Sequence, residues 1–170
     1  MPLLNILQYP DPRLKKIAIP VTMDDIHSKY IQNLINDMFE TMYQANGIGL
    51  AATQVNIALK IITMDLSENK NTPICLINPN ILSKQDSIIS TEGCLSFPGI
   101  YTNIKRYKTI DIEFFDKHEK KHILHANDLL SICIQHELDH LDGKTFFDHL
   151  SILKKTLLEK KLKKLRKHNL

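Results

Sequence analysis

His136 and His140 stand four residues apart in the stretch Gln135-His136-Glu137-Leu138-Asp139-His140. On a helix, at about 100° and 1.5 Å per residue, this spacing sets the two imidazoles within roughly 40° of each other and about 6 Å apart along the axis, near enough to converge on one ion. Glu137 lies beside His136 without sharing its direction. The pattern is HExxH, in which two histidines hold a metal and the glutamate works on a water bound to it. A histidine pair on a helix can equally be solvated, and the apolar neighbours Ile132, Ile134, Leu138 and Leu141 argue against that here. A buried helix carrying two imidazoles, a glutamate and an aspartate needs partners for them, because unpaired buried polar groups are costly.

Two histidines do not make a site. Cys133 falls on nearly the same face but two turns, about 10 Å, from His140, whereas ligand atoms around one tetrahedral ion sit within about 4 Å of each other. The third ligand must come from another part of the fold. Of the remaining cysteines, Cys75 lies among apolar neighbours and fits a buried thiol. Cys94 lies in Glu92-Gly93-Cys94-Leu95-Ser96-Phe97-Pro98-Gly99, flanked by glycine and a Pro-Gly turn, where a sulfur can be aimed instead of being lost in packing. Cys94 is therefore the expected third ligand. His118, His122 and His125 are weaker candidates, since they stand in a charged hairpin adequately explained as solvated surface.

The elements that position these residues are partly legible. The run from Asp128 has helical apolar spacing, with Asp128 expected to cap its start and Gly143 its end. Residues 24–46 repeat apolar positions at three and four, from Ile26 to Tyr43, and predict one long amphipathic helix with Asp24 near its cap. Its Met and aromatic stripe reads as core. Strand-like runs follow at 59–66, 74–82, 87–91, 109–115 and 121–126, with Asn78-Pro79-Asn80 and Asp116-Lys117 among the turn signals. The expected fold is a single α+β domain, a mainly antiparallel β-sheet packed around the central HExxH helix, with a long helix in the N-terminal half and a basic helix at the C-terminus. Between the first helix and the strands lies Gly47-Ile48-Gly49-Leu50-Ala51-Ala52-Thr53-Gln54-Val55. Its glycines and small residues suit either a packing turn or a close backbone approach to a ligand.

A chain of 170 residues, 43% hydrophobic and 24% charged, has enough apolar sequence for one globular core. No apolar run nears the ~20 residues that span a bilayer, and the start Met-Pro-Leu-Leu-Asn-Ile lacks a signal-peptide layout, so a cytoplasmic protein without membrane partners is expected. Three cysteines without a closely spaced framework fit a reducing compartment. The net charge of +3 is modest, and much of the basic excess sits in the last twenty residues. There, Leu153, Leu157, Leu158, Leu162 and Leu165 recur at helical spacing among Lys154, Lys155, Lys160, Lys161, Lys163, Lys164, Arg166 and Lys167. This run is either a solvated helix packed on the sheet or a cationic binding face.

Taken in order, Gly-Ile-Gly-Leu-Ala-Ala-Thr-Gln at 47–54, Glu-Gly-Cys-Leu-Ser at 92–96 and Gln-His-Glu-Leu-Asp-His at 135–140 resemble the three motifs of bacterial peptide deformylase. The resemblance spans nearly the whole chain. It implies an enzyme that removes the formyl group from N-terminal formyl-methionine of newly made polypeptides, releasing formate. It makes Cys94, His136 and His140 the ligands of one divalent ion, usually Fe2+ in the family, with Ni2+, Co2+ or Zn2+ accepted. By the same resemblance a metal-bound water attacks the formyl carbon, Glu137 is the general acid/base, and the Gln54 amide and Leu95 N–H stabilise the oxyanion. Ile48 and Gly49 are suited to pairing with the extended peptide, and Ile48, Leu95, Leu129, Ile132 and Cys133 fall on the methionine pocket. Residues 1–150 form the catalytic domain, and the basic helix at 151–170, part of the same domain, is the implied ribosome-docking segment, binding ribosomal RNA through phosphates. A monomer is expected. The chain departs from common family patterns after Arg106, where Tyr107 stands in place of a frequent proline.

Two rivals use the same residues differently. A zinc endopeptidase would employ the HExxH helix on internal peptide bonds. A non-catalytic metal-stabilised RNA-binding module would close its metal site with a fourth protein ligand.

Overall fold

The computed structural model describes residues 2–169; Met1 and the Leu170 end of the predicted C-terminal helix lie outside the described residues. A five-stranded antiparallel sheet runs in sequence order: β1 (Gly49–Ala51), β2 (Ile61–Met64), β3 (Ile74–Gly93), β4 (Tyr101–Phe115) and β5 (Lys121–Asn127). Four helices accompany it: α1 (Met23–Ile26), α2 (Lys29–Gln44), α3 (Asp128–Leu141) and α4 (Ile152–His168). The expected α+β class and antiparallel sheet are present.

The sheet is sandwiched where it is shortest. Successive side chains of a strand point to opposite faces, and here both faces are covered. Leu50, Ile61, Cys75 and Ile77 pack with Ile35, Met38 and Met42 of α2, while Ala51, Ile62, Met64 and Leu76 pack with Cys133 and Ile134 of α3. All four residues of β2 are buried accordingly. Of the stripe read as core, Ile31, Leu34, Ile35, Met38 and Met42 are buried and Phe39 and Tyr43 half-buried, but Tyr30, at the first turn of α2, is 59% exposed and stands outside that cluster.

Three expectations about boundaries are corrected. The helix predicted over 24–46 is two, because Ser28 accepts a hydrogen bond from the Ile31 N–H and starts α2 afresh after the short α1. The runs at 74–82 and 87–91 are one strand: Asn78-Pro79-Asn80 is a bulge, with a register shift between Ile77 and Asn80. Asn78, at φ 52°, is held there by its side chain, which exchanges two 2.8 Å hydrogen bonds with the Val21 backbone. Asp128 has φ 51° and does not cap α3; the cap position falls on Asn127, whose side chain accepts instead from the Thr109 hydroxyl.

The far end of α3 closes as expected. The Gly143 N–H reaches the His140 carbonyl at 3.1 Å and the Lys144 N–H the Asp139 carbonyl at 2.8 Å, with Gly143 at φ 71°. This is the Schellman closure, and it fixes the turn that carries His140.

A third apolar cluster gathers Phe97, Ile100, Ile104, Phe146 and Phe147 with Leu162, Leu158 and Leu165 of α4. The C-terminal helix is thus packed onto the loop after β3, and its lysines, all but the half-buried Lys155, are exposed.

Candidate active site

Helix α3 supplies His136, Glu137 and His140, all buried, and the loop leaving β3 supplies Cys94, half-buried. One donor atom from each of Cys94, His136 and His140 lies within 4.8 Å of the others, and the Cys94 Sγ is 3.3 Å from His140 Nε2. The two histidine rings are 5.1 Å apart between centroids. The sulfur of a mid-chain loop therefore meets the imidazole pair, as the residue pattern leads one to expect. Cys133 is not part of the group; it is buried in the wall beside it, and burial pushes its thiol up to about 12.

The surroundings orient the donors. His136 Nδ1 is 2.9 Å from a Glu92 carboxylate oxygen, which leaves Nε2 to face inward. Glu92 also receives both Arg106 Nε and Nη2 at 2.9 Å, and Arg106 Nη1 reaches Asp139 at 2.7 Å. Burial works to raise the Glu92 pKa, but the bonds from Arg106 and His136 outweigh it and hold the carboxyl at about 2. Burial likewise works against a charged His136 ring, yet the Cys94 sulfur and Glu92 keep its pKa well above the imidazole range. His140, buried next to that charged ring, is pushed well below it. The sulfur and carboxylate together call for positive charge at this spot, and a divalent cation meets that call.

The donor set fits such an ion. A thiolate with two imidazoles is a recurrent set for first-row transition metals. Among the described residues the chelating group numbers three, which leaves a position open and does not close the four-ligand site of the non-catalytic rival. Glu137 Oε2 is buried without a protein hydrogen-bond partner, and burial lifts its pKa to about 7.

Gln54 sits on the short helical turn after β1. Its Oε1 accepts from the Ala51 N–H at 2.9 Å, so its Nε2 is turned towards Ser96 Oγ at 3.1 Å and Cys94 Sγ at 3.7 Å. Thr53 of the same turn donates to the His140 carbonyl at 2.9 Å. The segment 47–54 is therefore more than a packing turn.

A cleft of about 730 Å³ opens over this group, and Ile48, Gly49, Leu95, Leu129, Ile132 and Cys133 all line it. Ile132 and Cys133 are buried in its wall, while Ile48 and Leu129 stand exposed at its rim. The expected chelating residues, Glu137, Gln54 and the expected pocket residues are all brought to this one place. Sequence reasoning misses Glu92, although a strand running into Cys94 puts position 92 on the same face, and it misses Ser96, which closes the Glu-Gly-Cys-Leu-Ser motif. His122 and His125 pair with Asp116 and Asp111 on the exposed hairpin, away from the site.

Tyr107 explains its own departure from proline. Its N–H donates to Gln135 Oε1 at 3.0 Å and its carbonyl accepts from Ser131 Oγ and Gln135 Nε2 at 2.9 and 2.8 Å. Proline has no N–H to give, so the first of these ties to α3 exists only because the residue is not proline.

A family model for polypeptide deformylase matches residues 3–156. The chain belongs to the polypeptide deformylase family. Peptide deformylase 2 of Xanthomonas axonopodis pv. citri (strain 306) is 49% identical over 168 residues, covering 99% of each chain. A crystal structure of a peptide deformylase from Legionella pneumophila superposes with a TM-score of 0.92 at 40% identity, over 99% of this chain and 98% of that one. A peptide deformylase from Ehrlichia chaffeensis in complex with actinonin gives 0.89 at 36% identity, over 96% and 98%. The chain is accordingly a hydrolase that removes N-formyl groups, of a family of metalloenzymes that act on nascent peptides, and it carries a group of side chains that could hold a metal. No helix among the described residues is long and apolar enough to cross a membrane.

Proposed function

We propose that this chain deformylates N-terminal formyl-methionine through one divalent ion held by Cys94, His136 and His140. The observation that carries the reading is the approach of those three donors to within 4.8 Å at the floor of a cleft whose apolar wall is Ile132 and Cys133. Iron(II) is the proposed ion in the cell, with nickel, cobalt or zinc as replacements. When bound, it supplies Lewis acidity, which makes water a nucleophile at neutral pH.

The chain's residues do the rest. β1 lies at one edge of the sheet, and Gly49 at its start with the exposed Ile48 just before it offers an extended peptide a place as one more strand, which sets the formyl group over the floor. The methionine side chain enters between Ile48, Leu95, Leu129, Ile132 and Cys133. Water attacks the formyl carbon while Glu137 takes its proton; the C–N bond then breaks, Glu137 returns the proton to the departing amine, and formate leaves. A buried carboxyl with its pKa raised to about 7 suits a group that must both take and give a proton near neutrality. The Gln54 Nε2 and the Leu95 N–H stabilise the developing oxyanion, each contributing on the order of 10²-fold in rate.

Residues 1–150 then form the catalytic unit of a cytoplasmic monomer. The outward lysines of α4, Lys154, Lys160, Lys161 and Lys164, all exposed, bind ribosomal RNA through phosphate contacts.

The deciding experiment is Glu137→Gln assayed for formate release from a formyl-Met peptide, with metal content measured on the same sample. Retained metal with turnover reduced by about 10²-fold or more is expected. Undiminished turnover would remove Glu137 from its role. Equal cleavage of unblocked peptides at internal bonds would favour the endopeptidase.

A further inference from the structure

The two oxyanion donors ride on separate pieces of chain, Gln54 on the turn after β1 and Leu95 on the loop after β3. One extended segment ties the two together. The Leu7 N–H donates to the Gln54 carbonyl at 2.7 Å, and the Tyr9 N–H donates to the Ser96 carbonyl at 2.9 Å. Ser96 in turn accepts from Gln54 Nε2 at 3.1 Å. The tie is held from behind by the Tyr9 side chain. Its ring stacks on Phe97 with centroids 4.8 Å apart and leans on Phe147 at 5.1 Å. Its hydroxyl donates to Glu159 of α4 at 2.5 Å, and its carbonyl accepts from Arg166 of the same helix.

Tyr9 does not line the cleft. Yet it grips Ser96 by the backbone and Phe97 by the ring, the two residues that follow Leu95. Removing the ring frees the loop from one side, while His136, Glu137 and the Ile132–Cys133 wall stay in place on α3.

We propose that Tyr9 is a positioning residue for deformylation, fixing the Leu95–Ser96 backbone against the Gln54 amide so that both donors address one oxygen. The inference rests on the oxyanion roles proposed for Gln54 and Leu95. It assigns Tyr9 a larger effect on the rate of the chemical step than on substrate affinity, because of the proposed methionine-pocket residues only Leu95 rides on the loop that Tyr9 holds, while Ile132 and Cys133 sit on α3 and the β1 edge is separate.

The test is a double-mutant cycle on the full, metal-loaded enzyme with a formyl-Met peptide, using Tyr9→Leu, Gln54→Ala and the pair. Leucine keeps apolar bulk in the Phe97 cluster while losing the stack and the Glu159 bond; Tyr9→Phe keeps the stack and serves as the conservative rescue. Gln54→Ala should lower kcat by about 10²-fold. Tyr9→Leu should lower kcat by about tenfold, short of the 10²-fold that a misplacement of about 1 Å can cost, with KM moved by less than about twofold and metal content retained. Tyr9→Phe should restore most of it. In the pair, Tyr9→Leu should cost clearly less than the roughly tenfold it costs alone, because the part of its effect that lies in aligning Leu95 with the Gln54 amide has nothing left to align to. Full kcat in Tyr9→Leu, a change confined to KM, or losses that simply multiply in the pair would overturn the positioning role alone. Full kcat in Gln54→Ala would overturn the oxyanion assignment and this inference with it.

Discussion

A Cβ at position 49 would lie 2.6 Å from Glu137 Oε1 and 3.2 and 3.3 Å from its Cδ and Cγ. Gly49 and Glu137 are thus in direct contact across the cleft floor, and the Glu137 carboxylate must shift if Gly49 acquires a methyl, while Cδ and Cγ give by a few tenths of an ångström. The flexible carboxylate can swing away at little cost in stability, but its swing moves the proposed proton carrier. Gly49→Ala should leave the unfolding midpoint near that of the parent and lower kcat by about 10²-fold. Steady-state kinetics paired with thermal melts would check it, and a variant with parental kcat would show that Glu137 tolerates the displacement.

Glu92 predicts a different signature. Glu92→Gln leaves the buried Arg106 with Asp139 as its remaining carboxylate partner and weakens the hold on His136 Nδ1. We expect a loss of about 3 kcal/mol in stability and about 10- to 100-fold in metal affinity. The pH dependence has a defined sign. A carboxyl whose pKa drops from 4.5 to about 2 on folding stabilises the fold above the higher value, and that contribution drains away as pH falls through the window towards the lower. Urea unfolding followed from neutral pH down to acid should therefore show a shallower decline in Glu92→Gln than in the parent.

Tyr107→Pro asks whether the departure from the commoner residue matters. It removes the N–H that reaches Gln135, leaving a buried amide oxygen with one partner fewer. A loss of about 1 kcal/mol is expected, read as a lower denaturant midpoint with kcat little changed. An unchanged midpoint would make the bond dispensable.

Docking through α4 is better tested by charge than by truncation. Deleting the chain beyond Leu150 would also strip Leu158, Leu162 and Leu165 from the Phe97 cluster, so weakened docking and weakened packing would be confounded. Replacing the exposed Lys154, Lys160, Lys161 and Lys164 by Glu leaves that packing intact. Ribosome affinity should collapse, and the steepness of its salt dependence should fall by about 0.9 for each phosphate no longer neutralised. Sedimentation with ribosomes across a salt series measures both, and parental affinity in the charge-reversed variant would remove α4 as the docking face.

Much of the site is readable in the chain because the chemistry depends on spacings that single residues reveal. A four-residue step on a helix determines where His136 and His140 point, and the glycine before Cys94 marks a sulfur outside ordinary packing. What stays hidden depends on contacts between distant parts of the chain. Nothing near Asn78-Pro79 discloses that Val21 will clamp Asn78, so that the turn signal there becomes a bulge inside one long strand. Glu92 lies two residues from Cys94, yet its value lies in Arg106 and His136 arriving from β4 and α3. Ser28 is a residue type suited to capping, and the apolar repeat running straight across it masks the break.

The turn at Gly143 carries a last implication. A Cβ there would sit 2.5 Å from the Lys15 carbonyl oxygen, and the Ala18 N–H donates to the Leu141 carbonyl at 2.8 Å. The foot of the metal helix is thus clasped by the opening residues of the chain, while the sulfur comes from its middle. A peptide excised around the HExxH run would contain both rings and the glutamate and still be only a feeble bidentate chelator, because the clasp and the thiol would be left behind. Transplanting this chemistry into another scaffold requires all three parts.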